Sequence, residues 1–324
     1  MIISKTPFRI SFCGGGTDLR EFYKYETGAV TSTAINKYMY VTVNKKFDNN
    51  IRISYSKTEN VRKVDEIEHP LVRESMKMTG VTEGVEVTSM ADIHSKGTGL
   101  GSSSSFLVGL LNALYAYKGE HKSAEFLAQK ACEIEISILK EPIGKQDQYI
   151  SAYGGLKHIK FNSDESVFVE PIICKRDAKS MLQQNLLLVY TGITRKSNDI
   201  LHEQKKNSKN KRKILSKMAS LAGEIASELN NGNLEGFGSL LNKNWTLKKK
   251  LASSITNPII EAYYNKALKA GASGGKILGA GGGGFLLLYC EKEKQKNVLD
   301  ALKSLKLTNF SFESQGSRII YVGD

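Results

Sequence analysis

The sequence predicts an α+β fold in two lobes, and three observations predict it. At 324 residues the chain is longer than one hydrophobic core usually serves, which points to about two domains. Period-two strand patterns and period-3.6 helix patterns follow one another in mixed order, not in strict βαβ alternation, which disfavours a doubly wound parallel sheet. Two glycine-rich clusters, at 97–105 and 279–284, sit between elements, one in each half. The boundary is expected near residues 165–180, giving lobes of 1–170 and 171–324.

Residues 2–12 alternate, with Phe8, Ile10 and Phe12 on one face and Arg9 and Ser11 on the other, as a half-buried strand requires. This strand runs straight into Gly14-Gly15-Gly16-Thr17-Asp18. Further strands are expected at 38–43, 51–55 and 85–90, the last leading into the first glycine cluster. A helix begins among Ser102 to Ser105, all good N-caps, continues through Leu107, Leu110, Leu111 and Leu114, and ends at Gly119. A second helix is expected from Ser123 to about Leu139. Pro142 then breaks the pattern, so that 144–149 (GKQDQY) falls in a loop or a first turn. Strand character returns at 156–161, 167–173 and 186–190, followed by helical stretches at about 197–229 and 234–251. The remainder reads as Lys276-Ile277-Leu278, the second glycine loop, a strand at 285–289, a helix at 292–304 and a last strand near 310–322.

Composition bounds the function. A hydrophobic fraction of 40% and a charged fraction of 24% are those of an ordinary globular protein, and no apolar run approaches the roughly 20 residues a bilayer span needs. Residues 1–12 lack the basic region and apolar helix of a targeting segment, so a cytoplasmic address and no membrane partner are expected. Cys13, Cys132, Cys174 and Cys290 form no CxxC pair and read as free, mostly buried thiols. The formal charge of +13 admits a nucleic-acid binder, a membrane-surface protein or an enzyme for polyanionic substrates. Its excess is concentrated in 205–213 (KKNSKNKRK) and in Lys248 to Lys250, which read as solvated helix faces or loops. No aromatics are interleaved for base stacking, so no nucleic acid is expected. His69, His94, His121, His158 and His202 show no ligand spacing, and no zinc site is expected.

The cluster Gly97-Thr98-Gly99-Leu100-Gly101-Ser102-Ser103-Ser104 lies between a predicted strand and a predicted helix. Unpaired amides and the positive end of the helix dipole therefore converge on one point, as in an anion cradle. Glycine at three alternate positions lets the backbone approach phosphate oxygens, and the serines add hydroxyls able to bond phosphate or magnesium. A flexible turn closed by a serine cap is the structural alternative. No GxxxxGK[ST] occurs, and Ile277 follows Lys276, so a P-loop is disfavoured. Gly279, Gly281 and Gly284 satisfy GxGxxG, but a strand follows where a dinucleotide site needs a helix. No HRD or DFG triplet supports a protein kinase. The second loop reads instead as a packing and closing partner of the first.

Two acids stand out. Glu135 projects from an alanine-rich, buried helix face, where an unpaired carboxylate is costly, and it needs a cation: magnesium bridging ATP phosphates, or a buried ion-pair partner. Asp147, in the GKQDQY turn, could accept the proton of an attacking hydroxyl or simply form the turn.

Taken together, PFRISFCGGGTDL at 7–19, GTGLGSSSS at 97–105, GKQDQY at 144–149 and GGKILGAGGGGF at 274–285 resemble the GHMP kinases, in matching order and over the whole chain. The GGGTD variant, the GxxDQY turn and TGITRKS at 191–197 are most similar to the branch acting on D-glycero-D-manno-heptose 7-phosphate. The resemblance implies a ribosomal-protein-like N-terminal domain, a ferredoxin-like C-terminal domain, and an active site between them. It implies ATP and Mg2+ as cosubstrate and metal, a sugar phosphate as acceptor, and a homodimer as a possible assembly. Ser103 and Glu135 would hold the metal, Asp147 would be base or orienting group, and Arg9 would stabilise it and the transferring phosphoryl. Gly15, Gly16, Thr17, Asp18 and Gln148 would lie against the sugar. Related sugar kinases commonly carry Glu-His where Gly15-Gly16 stand here, so the acceptor cannot be copied from galactokinase. Arg195, Lys196 and Ser197 would serve the acceptor's phosphate by charge-assisted hydrogen bonds, with surface basic residues as the alternative. A kinase of an unphosphorylated sugar and, more distantly, a basic RNA-binding protein remain the rival readings.

Overall fold

The computed structural model describes residues 1–93, 97–194 and 197–323. In chain order the first lobe contains β1 (Ile2–Cys13), α1 (Arg20–Tyr23), β2 (Gly28–Lys45), β3 (Ile51–Ser54), β4 (Thr58–Val61), α2 (Pro70–Thr79), β5 (Val85–Ala91), α3 (Ser102–Tyr117), α4 (Ala124–Cys132), α5 (Gln146–Tyr153), β6 (Leu156–Phe161) and β7 (Val167–Pro171). The second contains α6 (Arg176–Gln184), β8 (Leu186–Tyr190), α7 (Ser197–Asn207), α8 (Arg212–Asn230), α9 (Phe237–Lys248), α10 (Pro258–Lys269), β9 (Gly274–Ile277), β10 (Phe285–Tyr289), α11 (Lys292–Ala301) and β11 (Lys306–Leu307); β12 (Arg318–Val322) ends the chain.

Among the described residues the strands form two sheets. The larger runs β12-β1-β2-β5-β3-β4, with β6 and β7 branching from β2; the smaller runs β11-β8-β10-β9. The branch has a local cause. The β1–β2 register slips between Pro7 and Phe8, pairing Pro7 with Tyr38 but Phe8 with Ile35, so two residues bulge from β2 and bend it. Beyond the bend one half of β2 pairs with β5 and the other with β6. Arg9 lies just past this slip, on the half of β1 that meets the first glycine cluster.

The lobes share a core. Phe12 at the end of β1 packs edge-on against Phe237 of α9 at 5.3 Å, and Phe237 meets Tyr289 of β10 at 5.1 Å. Beside them the fully buried Lys276 of β9 donates to the carbonyls of Ser11 (2.7 Å) and Phe12 (3.2 Å), joining one sheet to the other. At the far end β12 returns to pair antiparallel with β1, and the Met1 amino group donates to the Gly323 carbonyl at 2.7 Å.

The α+β class and mixed order hold, and most elements lie where expected. The exceptions have physical reasons. The strand expected at 38–43 is the end of an 18-residue strand whose first half, GAVTSTAI, is buried throughout and so does not alternate. The helix expected over 197–229 is two, separated at the polar 208–211. The last strand spans only Arg318–Val322. Helices α2 and α10, not expected from the sequence, open on Pro70 and Pro258 at the first helical position, where proline's fixed φ suits a helix start.

Candidate active site

Residues 97–101 pass without helical or strand structure into α3, whose N-cap is Gly101 with φ of +76°. The first-turn amides of a helix have no partner within it, and here those of Ser102, Ser103 and Ser104 belong to residues lining a cavity of about 610 Å3. Arg9 fastens this loop to β1: its backbone N–H donates to Leu100 O at 3.1 Å and its Nη1 to Gly99 O at 2.6 Å. Behind the loop stands the second glycine cluster. A Cβ on Gly99 (φ +80°) would lie 2.4 Å from Leu278 O, and one on Gly279 would lie 2.6 Å from the Gly99 Cα. Only two glycines permit that approach, which is the packing role read from the sequence.

Asp147 sits in the first turn of α5, and Arg9 grips it from one side: Nε to Oδ1 and Nη2 to Oδ2, both at 2.8 Å. This bidentate pair fixes the carboxylate plane, while Asp147 keeps 23% of its side chain exposed to the cavity. A Cβ at Gly101 would lie 3.2 Å from Asp147 Oδ2, so the mouth of the loop abuts the pair.

Glu135 lies on a π-helical continuation of α4, Glu133–Ile138, in which Leu139 N–H reaches back five residues to Ile134 O. That wider turn carries a carboxylate that is 1% exposed but lines the same cavity. Ser103 Oγ donates to Oε1 at 3.0 Å, and Ser104 Oγ (2.7 Å) and Gln148 Nε2 (2.6 Å) donate to Oε2. Burial pushes its carboxyl up to about 7, against the pull of these three donors, with the charge of Asp147 adding to the rise.

A smaller cavity, about 70 Å3, adjoins the first and shares Arg9, Asp147, Ile143, Leu201, Gly279 and Ala280 with it. Its own lining includes Gly15, Gly16, Asp18, Gln146, Gln204 and Lys248. Asp18 is buried, its Oδ1 taking the Gly16 amide at 2.8 Å and its Oδ2 the Gln146 amide at 3.2 Å. Burial raises its carboxyl above the ordinary value, partly offset by the amides.

Most of the expected site residues converge here: Arg9, Gly97, Gly99, Gly101, Ser102, Ser103, Ser104, Glu135 and Asp147 on the larger cavity, and Gly15, Gly16 and Asp18 on the smaller. Others do not reach it. Thr17 is buried and lines neither cavity; its hydroxyl shares its one proton between Gly14 O and Ala29 O and accepts from Ala29 N–H, bonds that form the turn. Gln148 stands behind Glu135, and Leu100 turns its side chain into the core. Ser197 lines the larger cavity and not the smaller, while Arg195 and Lys196 lie outside the described residues. Gln146, Gln204 and Lys248 also line the smaller cavity, though none was expected there from the sequence. Lys248, read as a solvated charge, completes a buried stripe with Leu241, Asn244 and Trp245 at i, i+3, i+4 and i+7, a spacing that could have found it.

Comparison with known proteins adds names to this geometry. Residues 67–155 match the GHMP kinases N terminal domain, and residues 225–306 match the GHMP kinases C terminal domain. A D-glycero-alpha-D-manno-heptose 7-phosphate kinase of Campylobacter jejuni is 30% identical over 332 residues, covering 97% of each chain. A galactokinase of Pyrococcus furiosus is 24% identical over 359 residues, covering 97% of this chain and 96% of the relative. Among solved structures, a D-glycero-D-manno-heptose 1-phosphate kinase from Bacteroides thetaiotaomicron superposes with a TM-score of 0.84 at 23% identity, covering 100% of both chains. The mevalonate kinase of Methanococcus jannaschii superposes with a TM-score of 0.73 at 22% identity, covering 96% of this chain and 98% of that one. At these identities the two structures speak to the fold.

Proposed function

The chain belongs to the GHMP kinases and is an ATP-dependent phosphotransferase with an alcohol acceptor; from this premise we propose that it phosphorylates the anomeric hydroxyl of D-glycero-D-manno-heptose 7-phosphate, giving the 1,7-bisphosphate and ADP. The observation that carries the reaction is the Arg9–Asp147 pair at the seam between the two cavities, beside the mouth of the glycine loop. The larger cavity has room for a nucleotide, with its phosphates against the first turn of α3. The smaller takes only part of the acceptor, and the rest of the sugar phosphate extends into the shared space beside Asp147. The acceptor's choice rests on the similarity to the Campylobacter jejuni enzyme.

In the proposed step the anomeric oxygen attacks the γ-phosphorus, the bond from that phosphorus to the β-phosphate oxygen breaks, and the hydroxyl proton passes to a carboxylate oxygen of Asp147. Arg9 holds that carboxylate in one plane and brings positive charge near the transferring group. Ser103 and Glu135 are hard oxygen donors on the nucleotide cavity, which suits magnesium. Bound there, the ion would neutralise charge on the phosphate oxygens.

An ADP-release screen with magnesium ATP across sugars and sugar phosphates tests the reading. The heptose 7-phosphate is expected to be preferred over free heptose, galactose, fucose and mannose, with phosphorus NMR placing the new phosphate on the anomeric oxygen. Preference for a free sugar would overturn the acceptor assignment. Asp147→Asn is expected to lower kcat by about 10² or more with ATP binding intact; near-wild-type turnover would remove Asp147 from the chemistry.

A further inference from the structure

The acceptor pocket is not closed by the first lobe alone. Gly15 and Gly16 present bare backbone to it, and two side chains of the second lobe reach over them. A Cβ on Gly16 (φ +107°) would lie 2.1 Å from Gln204 Nε2, so the amide of α7 already occupies the volume a side chain at 16 would need. A Cβ on Gly15 would lie 3.5 Å from Gln146 Nε2, 3.8 Å from Lys248 Nζ and 3.9 Å from Ser11 Oγ. Gln204 and Lys248 are 3% and 4% exposed, and what each shows faces the 70 Å3 cavity that contains Asp147. Lys248 also donates to the Gly279 carbonyl, which fixes its ammonium at the seam, because Gly279 lines both cavities.

We propose that Gln204 and Lys248 are specificity-determining contacts to the oxygens of the acceptor, supplied by the second lobe in the space left by the absent side chains at 15 and 16. An ammonium and a carboxamide set over bare backbone make a hydrogen-bonding surface suited to hydroxyl or phosphoryl oxygens, and a hydrogen bond lost to a charged donor is costly where water is excluded. Holding these groups on α7 and α9 makes acceptor recognition depend on both lobes being in register, which a side chain on the 14–18 loop would not. The inference rests on the phosphotransferase reading of this pocket.

The test uses steady-state kinetics of Lys248→Met and Gln204→Leu with D-glycero-D-manno-heptose 7-phosphate and free D-glycero-D-manno-heptose as probes at saturating magnesium ATP. The acceptor KM is expected to rise about tenfold or more in each variant while the KM for ATP stays within about twofold. Lys248→Arg, which keeps a cation, should recover part of the loss. A rise confined to the phosphorylated probe assigns Lys248 to the phosphate, and an equal rise for both probes assigns it to a hydroxyl. Gly15→Ala meets only ordinary van der Waals contacts, so it should fold with unchanged melting temperature and still raise the acceptor KM. Acceptor KM within twofold of wild type in both Lys248→Met and Gln204→Leu would overturn the proposal, whatever Gly15→Ala shows. If the wild type prefers a different sugar, the acceptor assignment fails separately, and the same variants assayed on that sugar decide this inference.

Discussion

At Glu135 three short hydrogen bonds and near-complete burial oppose each other, and burial wins. Because its carboxyl is held at about 7 and the ordinary value is 4.5, the folded protein keeps a proton that the unfolded chain has already released between those values. Stability of the metal-free protein should therefore fall as pH rises through that window, by on the order of 3 kcal/mol in all. Thermal melting across it should trace the decline, and Glu135→Gln should flatten it; an unchanged slope in the variant would place the titration elsewhere. Single residues were legible in the sequence where a motif demanded them. Asp147 and the serines follow from the GKQDQY turn and the glycine cluster and Arg9 from the family resemblance, whereas Gln204 and Lys248 do not: helical spacing could show that Lys248 is buried, but not that it stands over the bare backbone of Gly15 and Gly16, which lie about 190 residues before Gln204 and about 230 before Lys248.

Among the elements, the β6–β7 hairpin reaches the site without lining it. At its turn Glu165 adopts a φ of +71° and gathers Lys145 Nζ (2.6 Å), Arg20 Nε (2.8 Å) and Tyr23 Oη (2.7 Å). Burial raises its carboxyl, but these donors outweigh that and hold it at about 2, so the clamp stays charged at any physiological pH. Lys145 directly precedes Gln146 and Asp147, and its backbone N–H donates to Asp18 O, so the hairpin holds the two loops of the acceptor pocket together. Glu165→Ala should lower kcat about fivefold to tenfold by loosening Asp147, and lower the melting temperature by a few degrees, since the mostly buried Lys145 and Tyr23 lose their partner although the pair with Arg20 is exposed. An unchanged kcat would reduce the clamp to surface decoration. The buried helix α3 could be read from its leucines at 107, 110, 111 and 114 and from the serine run at its start. The buried first half of β2 and the π-helical turn under Glu135 could not, because burial on both faces erases alternation and one extra residue per turn leaves no compositional mark.

For the molecule as a whole, the order of the chain and the order of assembly differ. β1 lies between β2 and β12, so the sheet that carries Arg9 is completed by residues from the opposite end of the sequence. Ser317 adds hydrogen bonds to Thr6, Asn112 and the Ser151 carbonyl. Deleting residues 317–324 should lower the melting temperature by more than about 5 °C and reduce activity, although every residue lining the two cavities is retained. Unchanged melting would make β12 dispensable. The two-lobed α+β plan was legible from mixed order and length, while this return was not, because a short terminal strand carries no record of its partner. The contact of Gly99 with Gly279 has a consequence for inheritance. Each lobe's backbone stands where the other's side chain would have to grow, and neither residue can be made smaller to accommodate a change in its partner. A substitution at either position thus has no compensating mutation within the pair, and a chimaera that joins this first lobe to a second lobe from another parent should work only where both glycines survive the crossover.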